Sequence, residues 1–352
     1  WGAITHAHLS NLLGERYDLE NLQEMYGSTI PDMFNLIMDP PYSDFMYEAM
    51  HYRFDEIRPC ARTAMLEAAL MGIASHNDAW GADWTAHHRA RSLPEPIGYV
   101  VYKEGQLAPV LETRLYALLA AAGVPNAAET AAELAPGLAH NFVETAVDLL
   151  ISQNEDPFIG YRMLVSAQLR SPGVPLMVAR AFARDLAAAY GISHFRAWLF
   201  IVGAERDFRE LMKMYGGIFT RGFDEAVGLL AEQGALYAET MLWSVTGVEI
   251  DVPAEMVGAF LIDFAIPAVE DDYSREIELT YAYLEERLEE EGYIGILVEN
   301  FASDDDRRVE TTPAGPRLEQ NHPNPFNPST TIRFSVLRAG RAHLAVFNAA
   351  GM

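Results

Sequence analysis

The chain has almost no cysteine and almost no lysine. Cys60 is the single cysteine among 352 residues, which rules out an intramolecular disulfide and leaves a thiolate zinc site short of sulfur. Any metal must therefore be held by nitrogen and oxygen. Lysine occurs only as Lys103 and Lys213, and 25 basic residues face 50 acidic ones, giving a formal charge of −25. Such a surface repels polyanions and anionic membranes at long range, although cations held in a pocket reverse the sign locally. Long apolar runs are missing too. No stretch of about 18 uninterrupted apolar residues is present, which argues against a transmembrane helix. No basic-plus-apolar leader is present either, as expected of a mature chain that starts at Trp1 once its signal peptide is gone.

What is present is half apolar, enough for a sizeable core in one large domain or two smaller ones. From about residue 4 to 300 the pattern is helical. Apolar positions recur at three and four over residues 60–92, 108–122, 127–152, 176–191, 204–214, 222–243, 254–268 and 274–291, with Gly or Pro between segments. After Glu299 the acidic run Ser303-Asp304-Asp305-Asp306 leads into Thr311-Thr312-Pro313-Ala314-Gly315-Pro316, an exposed linker. Residues 331–337 and 342–348 then alternate as strands do. The expected fold is mainly α: a multi-helix metal-binding domain over 1–300, a linker over 301–318, and a short, incomplete β-sandwich-like tail over 319–352.

Seven of the ten histidines fall within the first 140 residues, several beside acidic residues. A divalent-metal cluster needs neutral imidazoles together with carboxylates, because the anions offset the cationic charge. In the segment Gly72–His88, positions 76, 80, 83 and 87 fall within a stripe about 60° wide if one helix runs through Gly81. His76, Asp83 and His87 are then favoured as ligands over Asp78 and His88. His140 and Glu144, four apart, share a face of the helix expected at 138–151, and Asp148 extends that row as an outer-sphere partner. His6 begins a short helix with Thr5 as N-cap. A free α-amine at Trp1, with a pKa near ~7.7–8, is able to lose its proton and donate nitrogen to a metal. Asp32 sits in a turn after Pro31, where capping is the simpler role, and His51 depends on the constellation.

In order along the chain, Trp1-Gly2-Ala3-Ile4-Thr5-His6, Gly27 to Pro31-Asp32, His51, Gly72–His87 and His140-x-x-x-Glu144 resemble the zinc-dependent phospholipase C family, whose superfamily includes single-strand-specific nucleases. The resemblance implies an all-α domain with up to three zinc ions. One would take the Trp1 amine and carbonyl, His6 and Asp83. A second would take Asp32, His51, His76 and a bridging Asp83, and the third His87, His140 and Glu144. The spacing departs from the family's: its histidine, aspartate and second histidine lie four and then six apart, here seven and four, so Asp78 stays open as the alternative to Asp83.

The implied chemistry is phosphodiester hydrolysis, with Asp32 orienting or deprotonating the attacking water. A phospholipid with a cationic head group suits the acidic chain better than a nucleic acid does, because a nuclease benefits from a basic, aromatic groove. A catalytically degenerate, metal-binding surface protein is the other reading. A histidine–aspartate phosphohydrolase would need an adjacent His-Asp pair, which His76-Asn77-Asp78 is not. Leu318 to Phe334, with its Asn321-His322-Pro323-Asn324-Pro325-Phe326-Asn327-Pro328 core, resembles the opening of the C-terminal sorting domain of type IX secretion. That resemblance implies a partner in the secretion machinery, export across the outer membrane, and a secreted or cell-surface location. The linker is expected to be the first site of limited proteolysis.

Overall fold

The computed structural model describes residues 1–16, 22–37 and 40–293, together with the backbone of 317–318 and 334–335. The chain divides into two compact units, Trp1–Val298 and Glu299–Met352. The first is helical throughout its described residues. Its helices are α1 (Ala3–Arg16), α2 (Leu22–Gly27), α3 (Pro40–Tyr52), α4 (Ala64–His76), α5 (Ala82–His87), α6 (Tyr99–Ala121), α7 (Ala127–Leu150), α8 (Ile159–Leu169), α9 (Gly173–Tyr190), α10 (His194–Ile218), α11 (Phe223–Thr246), α12 (Ala254–Phe260), α13 (Ile266–Val269) and α14 (Tyr273–Glu290). None of the described helices is long and apolar enough to cross a membrane.

Helix α1 runs through the core, with Ile4, Leu9 and Leu13 buried. Its first turn is not capped by Thr5, as the sequence suggests, because the helix already starts at Ala3. The cap comes from α7. The buried Asp148 carboxylate accepts hydrogen bonds from the backbone N–H of Ile4 (3.0 Å) and Thr5 (2.8 Å) and from the Thr5 hydroxyl (2.6 Å). An anion at a helix N-terminus is favourable, and this one locks Trp1 and His6 in register with α7. Asp148 is thus a clamp between helices rather than a partner of the His140 row.

Helices α2 and α4 cross so closely that only glycine fits at the contact. A Cβ on Gly72 would lie 2.0 Å from the Glu24 carbonyl oxygen, and one on Gly27 would lie 2.1 Å from that of Ala69. This approach carries the Ser28 carbonyl to His76. The same crossing buries Glu24 completely, and neither carboxylate oxygen has a hydrogen-bond partner among the described residues. Burial alone pushes its pKa well above the carboxylate range. A raised folded pKa costs stability as pH climbs above the unfolded value of ~4.3, with a slope of at most about 1.4 kcal/mol per pH unit. Glu24→Gln is therefore expected to melt higher than the parent at pH 8, with the gap closing towards pH 4. Paired melting curves across that range check it, and a pH-independent gap would refute the buried-acid account.

The continuous helix expected across 72–88 is broken. Helix α4 ends at His76, and Asn77 adopts φ −33°, ψ 156°. Its side-chain oxygen accepts from the N–H of Ala79 (2.9 Å), Trp80 (2.8 Å) and Gly81 (3.2 Å), the local competition with helix at which asparagine excels. Helix α5 restarts after Gly81, where a Cβ would meet the Asn77 carbonyl oxygen at 2.5 Å. The expected 60–92 segment is thus two helices, α4 and α5, preceded by a 3-10 turn at Phe54–Cys60. Helices α1 to α3 and α8 complete the set, and α12 passes into α13 through a π turn at Leu261–Ala265.

In the second unit, Arg317–Leu318 (β1) pairs antiparallel with Phe334–Ser335 (β2), Arg317 opposite Ser335 and Leu318 opposite Phe334. The expected strand at 342–348, the sandwich it would join, and the linker ahead of residue 317 lie outside the described residues.

Candidate metal centre

The α4–α5 corner, α1, α3, the 3-10 turn Ile30–Leu36 and α7 converge on one buried cluster. Trp1 anchors it from one side. Its indole stacks on Tyr99 at 5.3 Å between centroids, and the indole N–H donates to the Thr85 hydroxyl at 2.9 Å. The α-amine is thereby held 2.7 Å from Asp83 Oδ1 and 3.1 Å from Glu144 Oε1. Burial works against the charged amine, but Asp83 and Glu144 outweigh it and raise its pKa to about 11.

Asp83 stands at the centre. Besides the amine, its Oδ1 faces His6 Nε2 at 3.0 Å, while Oδ2 faces His76 Nε2 at 3.0 Å and His51 Nε2 at 3.6 Å. Asp32 Oδ1 closes this side at 3.8 Å from His76 and 4.0 Å from His51. The ligand atoms of Asp32, His51, His76 and Asp83 lie within 4.8 Å of one another, as do those of His87, His140 and Glu144. All nine residues expected from the sequence thus gather at this place, in three neighbouring groups joined by Asp83 and the amine. They do so without the shared helix face, because α4 and α5 meet at a corner that points both inward.

Four histidines have their outer nitrogen occupied. Nδ1 of His51 lies 2.9 Å from the Tyr47 carbonyl oxygen and Nδ1 of His76 lies 2.7 Å from that of Ser28. Nδ1 of His87 lies 3.1 Å from Asp78 Oδ1, and Nδ1 of His140 lies 3.1 Å from Glu104 Oε2. Carbonyl and carboxylate oxygens accept, so each Nδ1 carries a proton and each Nε2 faces the cavity, with a lone pair to offer whenever the ring is neutral. The Nε2 atoms of His51 and His76 are then only 3.2 Å apart. Two lone pairs at that distance repel unless a cation or a proton stands between them.

The electrostatics agree with that requirement. Burial, with the neighbouring His76, lowers the pKa of His6 and of His51 to about 3, keeping both neutral. Burial also disfavours charge on His76, but Asp83 and Asp32 overcome it and raise its pKa. Asp83 is held well below the carboxylate range: burial opposes this, and His76 and the amine outweigh it. Burial lifts Asp32 to about 7. His140 rises to about 10 because Glu144 and Glu104 outweigh its burial. Protons thus occupy the cluster where metal ions fit. The donor set is nitrogen and oxygen with three carboxylates, the chemistry of zinc and related first-row divalent ions.

Asp78 is not among these ligand atoms. Its carboxylate accepts from the hydroxyls of Tyr47 (2.9 Å) and Tyr52 (2.6 Å), orients His87 and lies 3.2 Å from His88 Nε2. Between Asp83 and Asp78, the structure puts Asp83 in the cluster and Asp78 behind it. Glu104 was not evident from the sequence, since it lies on α6, 36 positions before His140. No local periodicity marks such a pair.

In front of the cluster opens a cleft of about 560 Å³. Phe34, Tyr47, Phe208, Tyr215 and Tyr237 contribute to its walls, and no lysine or arginine is among its described lining residues. Among the described residues, the fold and site define a mainly helical protein with two neighbouring side-chain groups that could each hold a metal ion. Neither a protein-family model, nor a curated protein, nor a solved structure matches the chain.

Proposed function

We propose that this chain is a zinc-dependent phosphodiester hydrolase of the phospholipase C type. The observation that carries the reading is the pair of Nε2 atoms 3.2 Å apart, each with its proton committed on the far side, enclosed by Asp32 and Asp83. Two such imidazoles with two carboxylates fit a bound divalent cation. The Trp1 amine with His6 and Asp83 Oδ1, and the His87, His140 and Glu144 group, would hold the others. Metal ions bound there would acidify a water and neutralise the charge that develops on the phosphoryl oxygens.

The chain's own residues supply position and proton transfer. Asp32 is the most exposed of the three cluster carboxylates that line the cleft, at 24% against 20% for Glu144 and 4% for Asp83. Lining the cleft and lying 3.8 Å from His76 Nε2 and 4.0 Å from His51 Nε2, it is placed to accept a proton from a water held at the cluster. Asp32→Asn is expected to lower turnover by ~10²–10⁴-fold, the range for lost general-base catalysis, while most of the metal stays bound. Undiminished turnover at full metal occupancy would remove Asp32 from that role.

A lipid phosphodiester is the substrate class favoured by the cleft. Its aromatic walls suit a quaternary ammonium head group, and a nucleic-acid strand would find no lysine or arginine among the described lining residues. The tail's resemblance supports export and a cell-surface or secreted location. Elemental analysis of the chain beginning at Trp1, followed by hydrolysis of phosphatidylcholine and of single-stranded DNA, tests the whole reading. About three zinc per chain with lipid cleavage supports it. DNA cleavage alone would move the assignment to the nuclease branch, and bound zinc without turnover on either would favour an inactive surface protein.

A further inference from the structure

Beside the cleft lies a second, almost wholly apolar and partly open chamber of about 100 Å³, lined by α6, α7, α11 and α12. Leu111, Leu115, Leu138, Phe142, Val257 and Phe260 form much of its lining. Five residues, Asn141, Thr145, Leu230, Gly234 and Tyr237, line both the chamber and the cleft. The juxtaposition follows from helix geometry. Asn141 and Thr145 each come one position after a cluster residue on α7, His140 and Glu144, so the two turns that carry those side chains also form the chamber's rim. Opposite, on α11, Leu230 and Gly234 are four apart and share a face.

We propose that this chamber is a hydrocarbon subsite, which holds the proximal part of an alkyl or acyl chain whose phosphate ester sits at the metal cluster. The substrate half of this statement rests on the phosphodiesterase reading above. The chamber half rests on its lining and on its continuity with the cleft. An apolar cavity of ~150 Å³ stays dry and takes a six-carbon ring, so about 100 Å³ suits roughly four carbons. The remainder of a longer chain would leave past the half-exposed Tyr237. Gly234 sets the width of the passage, since a Cβ there would lie 3.1 Å from a Val257 methyl carbon.

The test is isothermal titration of the full chain, supplied with zinc, with n-alkyl phosphates from ethyl to octyl and with the matching n-alcohols. Inorganic phosphate is titrated alongside. In both alkyl series affinity should rise about fourfold per methylene, the equivalent of ~0.8 kcal/mol, and flatten once the chamber is filled. Ala231→Leu and Ala238→Phe, whose residues line only the chamber, should each flatten both slopes and leave inorganic phosphate affinity unchanged. Far-UV circular dichroism confirms that the variants are folded, and the parent series stands without them. No chain-length dependence in either series overturns the chamber, as do slopes that survive in both folded variants. Alcohols that keep their slope while inorganic phosphate fails to bind would support the chamber and overturn the metal-dependent reading instead.

Discussion

Asp83→Asn is expected to cut bound zinc from about three per chain to one or none and to abolish turnover. No other side chain touches so much of the cluster. Oδ1 faces the Trp1 amine and His6, Oδ2 faces His76 and His51, and the side chain is only 4% exposed. An amide of nearly the same shape keeps one acceptor and replaces the other with a donor. That donor would either confront the protonated amine or take up an imidazole lone pair that a metal needs, and the negative charge that would offset bound metal ions would be gone. The loss of affinity should exceed the ~10–100-fold typical when an outer partner of a ligand is removed. Asp78→Asn supplies that comparison. Asp78 orients His87 through Nδ1 and does not join the ligand atoms, so its variant should lose metal mainly from the His87, His140 and Glu144 group. Elemental analysis of both variants reads the difference directly. Full zinc in Asp83→Asn would remove it as the bridge, and a larger loss in Asp78→Asn than in Asp83→Asn would reverse the assignment.

Helical periodicity made the α domain legible because amphipathic stripes such as Leu107, Leu111, Leu115 and Leu119 on α6 are local signals, and these four are buried. The residues that the structure brings together as candidate ligands were legible for a related reason: neutral imidazoles and carboxylates seldom cluster without cause. What the sequence concealed was the corner. The 76–83–87 stripe lines up on an ideal helix, yet Asn77 terminates α4 with its own side chain, and the convergence is produced by two helices meeting. Spacing alone cannot tell one helix from two that turn towards each other. Equally hidden were contacts between distant segments, such as Asp148 on Ile4 and Thr5, Glu104 on His140 and Ser28 on His76. Each depends on how helices cross, and the crossing of α2 with α4 depends on two glycines whose role is the absence of a side chain.

Removing the metal is expected to lower the melting temperature by on the order of 10 °C at pH 8, with the gap narrowing as pH falls. A ligand at 1,000 times its Kd stabilises by ~4 kcal/mol, and for domains of 150–250 residues each kcal/mol corresponds to ~2–4 °C. The cluster spans α1, the 30–36 turn, α3, α4, α5 and α7, so cations bound there would tie together most of the N-terminal half. The pH trend follows from which groups are protonated when metal is absent. The Trp1 amine and His140 have pKa values raised to about 11 and about 10, so near neutral pH the folded, metal-free chain holds protons on them, and Asp83 and Asp32 raise His76 in the same direction against its burial. Each must leave before nitrogen donates to a metal, so zinc affinity should climb by up to about tenfold per pH unit for every proton displaced. His6 and His51 act differently. With folded pKa values of about 3 against ~6.5 when unfolded, they make the metal-free chain itself less stable as pH falls below ~6.5, because the unfolded state binds the extra protons. Melting the chelated and zinc-supplied chain between pH 5 and 8, with proton release recorded as zinc is added at pH 8, reads both effects. Release of about two protons per chain or more, from the Trp1 amine and His140 at least, together with the widening gap would show metal replacing protons at these nitrogens. A melting temperature indifferent to zinc at pH 8 would mean that the protonated cluster is the resting state and that its carboxylates serve the fold rather than a metal.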